Sequence, residues 1–255
     1  MPLIVSPLHG VPLIKPGSDL ISIIIQTIEK EKLSVHDGDI IAVTQKIVSK
    51  SEGRYINLNG INPSSKAKEI SRRCGKDPRF VELVLKESKE VIRISENTLI
   101  VEHKMGFICA NAGIDHSNVG NKLDQDDEWV LLLPENPELS AEKIKVGLSK
   151  YFNQSIGVII IDSHGRPWRL GTVGVAIGIS GVPALVDLRG KRDIFGYEMR
   201  ITQVAAADEL AAAASLVMGQ VDEKIPVVLI SGFPYPLRKS SLQEVLRPKK
   251  SDLFR

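Results

Sequence analysis

The chain has 255 residues, which at roughly 150 residues per domain allows one large domain or two small ones. Its 33 Lys and Arg against 31 Asp and Glu leave a formal charge of +2, so no whole-chain positive field exists to recruit nucleic acid or an anionic membrane surface. Aromatic residues at 5% are too sparse for base-stacking platforms, while 43% hydrophobic and 25% charged residues describe a folded globular chain.

Along the chain, Ser18 or Asp19 can cap a helix over Gly17 to Lys30, in which Leu20, Ile23, Ile24, Thr27 and Ile28 recur at helical spacing. After Asp37-Gly38, the apolar run from Asp39 to Thr44 predicts a buried strand, and polar Gln45 to Lys50 predicts a loop fed by the strand end. Asn62-Pro63 and Asp77-Pro78 each put a capping side chain before a proline at the first helical position, and Gly75 separates the two helices. Ala67, Ile70 and Cys74 mark the packing face of the first; Phe80, Val81, Val84 and Leu85 mark that of the second. β-Branched residues between Glu90 and Met105 predict two strands about the Glu96-Asn97 turn, leading to the small-residue stretch Gly106 to Asn118. The acidic run Asp124 to Glu128 lacks the Gly-centred spacing of a calcium loop and reads as a solvated loop.

Ser140 is expected to cap a helix reaching Phe152. Ile156 to Asp162 carries the strongest buried-strand signal and ends on a carboxylate. A glycine-rich apolar segment follows from Gly165 to Gly181, then an alanine-rich helix from Val204 to Met218 stopped by Gly219, then a buried strand from Ile225 to Gly232. Strands and helices alternate without the cadence of a doubly wound sheet. The expectation is an α+β fold of mixed sheets with packing helices, in two intertwined subdomains.

Cys74 and Cys109 share no CxxC or metal-finger spacing, which suits a reducing compartment. No basic region followed by a long apolar stretch opens the chain, and no window approaches the roughly 20 apolar residues of a membrane span. A cytoplasmic protein without a membrane or nucleic-acid partner is expected.

The motif search first removes possibilities. GxxxxGK[ST] is missing, as are GxSxG and HExxH, and Gly171, Gly174, Gly178 and Gly181 are spaced by three, four and three rather than as GxGxxG. The five histidines, His9, His36, His103, His116 and His164, show no i,i+4 pair and read as surface or loop residues. Oxygen chemistry remains, of the kind that suits Mg²⁺ or Mn²⁺ with one or two carboxylates, water and phosphate.

Three segments offer it. In Asn111 to Asn118 small residues permit close backbone approach beside Asp115 and Asn118, although an ordinary Asx-rich turn fits the same composition. In Asp162 to Arg169 a carboxylate and the Ser163 hydroxyl leave a hydrophobic strand together, with Arg166 and Arg169 behind them as candidate clamps for phosphate or carboxylate. A cation or an arginine salt bridge must offset the desolvation of Asp162. The third is Met218 to Ile225, after a helix end whose dipole favours cations, and it reads equally as a helix-to-strand connection. Lys46 and Lys50 can act as point-charge phosphate ligands, or stay solvated.

Taken in order, several segments resemble one family. They are Gly10-Val11-Pro12-Leu13-Ile14, Val48-Ser49-Lys50-Ser51-Glu52-Gly53-Arg54, Asn111-Ala112-Gly113-Ile114-Asp115 with Ser117-Asn118, Asp162-Ser163-His164-Gly165-Arg166, and Gly171-Thr172-Val173-Gly174 with Ala176-Ile177-Gly178. The similarity runs on through Arg192-Asp193-Ile194-Phe195-Gly196, Ala207-Asp208-Glu209 and Met218-Gly219. The family is coenzyme F420-0:L-glutamate ligase.

The resemblance implies GTP-dependent addition of L-glutamate to F420-0, giving F420-1 and then γ-linked F420-2 through an acyl phosphate, helped by Mg²⁺ or Mn²⁺ at two sites and by K⁺, in a homodimer. It implies Asp115 and Asp162 as metal ligands, with Ser163 and Gln220 at a second metal. It implies guanine-nucleotide contacts at Val11, Pro12, Leu13, Ile14, Gln45, Lys46, Lys50 and Asn118, and along Met218, Gly219, Gln220, Val221, Asp222, Glu223, Lys224 and Ile225. Some family members carry a glutamate where this chain has Gln220, and an amide oxygen binds Mg²⁺ more weakly than a carboxylate. The length implies the ligase domain without a following reductase domain. A metal-dependent nucleotide hydrolase and a non-catalytic nucleotide-binding protein are the alternatives.

Overall fold

Asp19 starts the first helix: its carboxylate accepts hydrogen bonds from the Ile21 and Ser22 amides, which the helix itself leaves without partners. Ser18 instead caps nothing and accepts from the Lys15 amide. The computed structural model describes residues 2–117, 119 and 128–254. Of the acidic run, only Glu128 falls among the described residues, where it pairs with Arg79.

Strand β1 (Ile4–Pro7) precedes α1 (Leu20–Lys30) and β2 (Ile40–Thr44), which is apolar and buried up to Thr44. Ile24 and Ile28 of α1 are wholly buried, each contributing about 1.5–3 kcal/mol of hydrophobic stabilisation. The loop expected after β2 is instead a short helix, α2 (Gln45–Ser51). Gln45 and Ser49, one turn apart, are both buried and hydrogen-bonded to each other, so polar residues that look like a loop are satisfied inside the fold.

After β3 (Tyr55–Asn57) come α3 (Ser65–Cys74) and α4 (Pro78–Lys86). Asp77-Pro78 and the left-handed Gly75 act as expected, but α3 is capped by Ser64, whose hydroxyl accepts from the Ala67 amide, and not by Asn62. Strands β4 (Ser88–Ser95), β5 (Thr98–His103) and β6 (Ile108–Ala110) form an antiparallel meander, and the short β7 (Trp129–Leu131) pairs with β3. An Asn-Pro pair does cap α5 (Pro137–Phe152), where Asn136 accepts from the Leu139 amide. Ser140, expected as that cap, lies in the first turn and donates to Glu52.

The apolar strand beginning after Ile156 is β8 (Gly157–Arg166), and it does not end at Asp162. It continues as the first arm of a long hairpin with β9 (Arg169–Ser180), whose register sets Asp162 opposite Val175 and Ser163 opposite Gly174. The small pair β10 (Val186–Asp187) and β11 (Gln203–Val204) precedes α6 (Ala206–Met218) and β12 (Val227–Ser231).

The main sheet has the order β1-β12-β2-β8-β9, in which only β2 and β8 run parallel. Helices α5 and α6 pack on β9. A Cβ at Gly174 would lie 2.4 Å from the Ala211 carbonyl oxygen of α6, so glycine there sets how closely that helix sits beside Ser163. The architecture is α+β, with everything from α2 to α5 inserted between the adjacent strands β2 and β8 of the main sheet.

Candidate functional site

Where β2 and β8 run side by side, their ends open into a cleft of about 550 Å³. Its lining comes from five stretches: Val11 to Ile14, Thr44 to Lys50, Asp115 with Ser117, Ile161 to Ser163, and the end of α6 with the loop to β12. Ends of neighbouring strands are a common ligand position in sheets with parallel pairing, because the backbone turns away there and leaves a crevice.

Asp115 is delivered by an unusual turn. Asn111, Ala112 and Gly113 all have positive φ (52°, 53° and 65°), a conformation that costs an alanine roughly 1–2 kcal/mol. Asn111 offsets part of this by accepting the Leu99 amide, and Asp115 then exchanges backbone hydrogen bonds with Leu131. Strain held in place by its surroundings is typical of sites where placement of a side chain matters.

The Asp115 carboxylate accepts from Gln45 Nε2 at 2.6 Å and lies 3.6 Å from Lys46 Nζ, which also donates to Ser117 Oγ at 3.0 Å. Burial pushes the Asp115 carboxyl above the ordinary aspartate range, the positive Lys46 opposes the push and the negative Asp162 adds to it. Burial, aided by the charge of Lys46, lowers Lys50, with Asp115 opposing. The cleft thus holds two carboxylates close enough to repel each other.

On β8, Ser163 Oγ donates to Gln220 Oε1 at 2.9 Å, and Gln220 Nε2 donates to Ser215 Oγ at 3.1 Å. Ser215 precedes Gly219 by one turn of α6, a spacing that could have flagged it in the sequence. Asp162 finds its partner in His164, whose Nε2 is 3.0 Å from Oδ2, and not in an arginine. His164 is therefore neither a surface nor a loop residue, and neither is His103, which is 3% exposed.

The structure brings Val11, Pro12, Leu13, Ile14, Gln45, Lys46, Lys50, Asp115, Asp162, Ser163, Met218, Gly219, Gln220, Val221, Glu223, Lys224 and Ile225 to this one cleft. Asn118 lies outside the described residues, and Asp222 is exposed and does not line the cleft. Arg166 and Arg169 are exposed at the far end of the β8–β9 hairpin, with the Arg166 guanidinium on the Leu170 carbonyl. Because β8 keeps running past Asp162, its rise of roughly 3.3 Å per residue carries the Arg166 backbone about 13 Å from Asp162. Thr44, Ile47, Ser117, Ile161, Ser215 and Pro226 also line the cleft, although none of them was expected at the site from the sequence.

Among the described residues no three His, Cys, Asp or Glu side chains are grouped to hold a metal ion. Two aspartates with a hydroxyl and an amide oxygen nevertheless fit a hard cation of the Mg²⁺ kind, which takes one or two carboxylates and fills its shell with water and phosphate oxygens.

The sequence profile of the family described as F420-0:Gamma-glutamyl ligase matches residues 10–232. The chain belongs to this family. It is 45% identical over 249 residues to the coenzyme F420:L-glutamate ligase of Methanothermobacter thermautotrophicus, covering 97% of this chain and 96% of that one. It is 45% identical to the protein of the same name from Methanocaldococcus jannaschii, over 87% of this chain and 86% of the other. With the Archaeoglobus fulgidus protein of that name it shares 41% identity over 98% and 96% of the two chains. All five stretches of the cleft wall fall within the region matched to the F420-0:Gamma-glutamyl ligase family.

Proposed function

We propose that the chain is a ligase that adds L-glutamate to F420-0 in coenzyme F420 biosynthesis, with GTP as co-substrate. One observation carries the reading: five of the segments that resemble the ligase family, those containing Val11 to Ile14, Lys50, Asp115 with Ser117, Asp162 with Ser163, and Met218 with Gly219, contribute to a single cleft, where two aspartates, a hydroxyl and an amide oxygen stand beside Lys46 and Lys50. The relatives named coenzyme F420:L-glutamate ligase support the substrate pair.

In this reading GTP occupies the cleft between the Val11 to Ile14 loop and the Met218 to Ile225 loop, and Asn118 joins it. Asp115 and Asp162 hold Mg²⁺ or Mn²⁺, with Ser163 and Gln220 as neutral donors to a second ion and K⁺ as a further helper. Such ions, when bound, neutralise phosphate charge and polarise the γ-phosphoryl group. Lys46 and Lys50 supply positive charge to the phosphates, and Gln45 holds Asp115 in place.

The terminal carboxylate of F420-0 attacks the γ-phosphate of GTP, releasing GDP and forming an acyl phosphate. The glutamate amine then attacks the acyl carbon, the C–N bond forms as the bond from that carbon to the phosphate oxygen breaks, and the leaving phosphate takes up the proton that the nitrogen sheds. A second round gives the γ-linked F420-2. Bringing two anions to about 4 Å costs roughly 4 kcal/mol at an effective dielectric near 20, which the lysines and bound cations offset.

The same reading includes a homodimer in the cytoplasm. Trp168 and Leu170 at the end of the β8–β9 hairpin, and Ile194, Phe195 and Ile201 between β10 and β11, are each at least 87% exposed, and large exposed apolar groups call for a covering surface. Among the described residues no helix is long and apolar enough to cross a membrane.

Mass spectrometry after incubation with F420-0, GTP, Mn²⁺ and L-glutamate tests the proposal. Glutamyl mass increments that require GTP are expected. GTP turnover without any glutamyl product would make the protein a nucleotide hydrolase instead.

A further inference from the structure

Behind the cleft, Asp162 is tied to a column of rings that the ligation scheme above does not use. His164 follows two positions later on β8, on the same face of the strand, and its Nε2 lies 3.0 Å from Asp162 Oδ2. Both side chains are largely buried, at 12% and 14% exposure. A carboxylate can only accept, so the imidazole donates from Nε2.

The imidazole is not free to swing. Its ring lies 5.5 Å from that of Phe107, tilted by 44°, and Phe107 stacks in turn on His103 at 5.1 Å with the planes only 6° apart. His103 is anchored because its Nδ1 accepts the Met105 amide at 3.1 Å. The β4–β6 meander, with its β5–β6 connection, therefore supports from behind a carboxylate that belongs to the main sheet.

We propose that His164 is the positioning residue for Asp162. Its hydrogen bond occupies Oδ2 and leaves Oδ1 as a single-oxygen ligand for a divalent cation, while the Phe107–His103 stack keeps the imidazole in place. Partners that orient a metal ligand in this way typically change metal affinity by 10–100-fold when removed. The inference rests on the reading that Asp162 binds the cation.

The test measures Mn²⁺ binding to the nucleotide-free protein by electron paramagnetic resonance of the free ion, alongside activity as a function of Mn²⁺. His164→Phe keeps a ring against Phe107 and removes the donor; about 10–100-fold weaker Mn²⁺ binding is expected. His164→Gln, which can still donate, recovers much of the affinity. In both variants the Mn²⁺ needed for half-maximal activity rises while kcat at saturating Mn²⁺ is largely kept, a split that loss of folding does not produce. Phe107→Leu, which leaves the hydrogen-bonding pair intact, gives an intermediate loss and serves if His164→Phe does not fold.

Unchanged Mn²⁺ affinity in folded His164→Phe, or in Phe107→Leu should the first not fold, overturns the positioning role. Asp162→Asn separates the two levels. If it loses Mn²⁺ while His164→Phe does not, only the role of His164 falls; if it binds Mn²⁺ unchanged, the cation reading of Asp162 falls as well.

Discussion

Gln45 Nε2 donates a 2.6 Å hydrogen bond to Asp115 Oδ2 across a separation of 70 residues, and Ser49 holds the other end of the Gln45 amide. The first turn of α2 thereby sets the orientation of a carboxylate that arrives from the turn after β6. Gln45→Ala strands buried partners on both sides, so a loss of about 1–3 kcal/mol in urea unfolding is expected, together with weaker Mn²⁺ binding. Stability and Mn²⁺ affinity equal to those of the unaltered protein would show that the bond is incidental.

Asp115→Asn and Asp162→Asn should each abolish GTP-dependent glutamylation while the far-ultraviolet circular dichroism stays native, because an amide nearly preserves the shape and removes the charge. A folded double variant with full activity refutes the assignment of both residues.

Gln220→Glu can still accept from Ser163 and places a further carboxylate beside it in the cleft. Tighter Mn²⁺ binding follows if Gln220 is a ligand. A titration curve that superimposes on the original removes Gln220 from the donor set.

Burial holds His103 neutral, with its pKa lowered from 6.5 to about 4, and its Nε2 has no hydrogen-bond partner among the described residues. As pH falls through 6.5 the unfolded chain takes up a proton that the folded chain refuses until about 4. The associated stability is complete above 6.5, falls progressively toward 4 and is constant below; the loss over that window is on the order of 3 kcal/mol. His103→Phe should lose less stability than the unaltered protein between those values in urea titrations, and parallel acid limbs would contradict this.

Phe195 is 89% exposed within an ordered excursion in which Asp193 accepts the Phe195 and Tyr197 amides. If a second copy covers this arm, Phe195→Asp shifts the molar mass from dimer toward monomer in light scattering. A mass that does not change places the interface elsewhere.

Much of the fold was legible because its signals are local. Asp19, Asp77 and Gly75 act within a few residues of themselves, and the apolar runs of β2, β8 and β12 can be satisfied only by burial on both faces. Asn136-Pro137 carries the same capping signal as Asp77-Pro78, and it, rather than Ser140, starts α5. The helical state of Gln45 to Ser51 was not legible, since polar residues resemble a loop until Asp115 arrives to pair with Gln45.

By itself the sequence determined which groups could do chemistry: it excluded P-loop, dinucleotide and zinc sites, left oxygen ligands and lysines, and carried the family resemblance in ordered segments. Tertiary structure alone decided which of them meet. Pairing with β9 extends β8 beyond Asp162, so Arg166 and Arg169 travel away from the cleft while His164 stays beside the aspartate. Sequence patterns report what each residue prefers over a few neighbours, whereas a cleft built from five stretches depends on strand register and helix contact, which are long-range and set by packing.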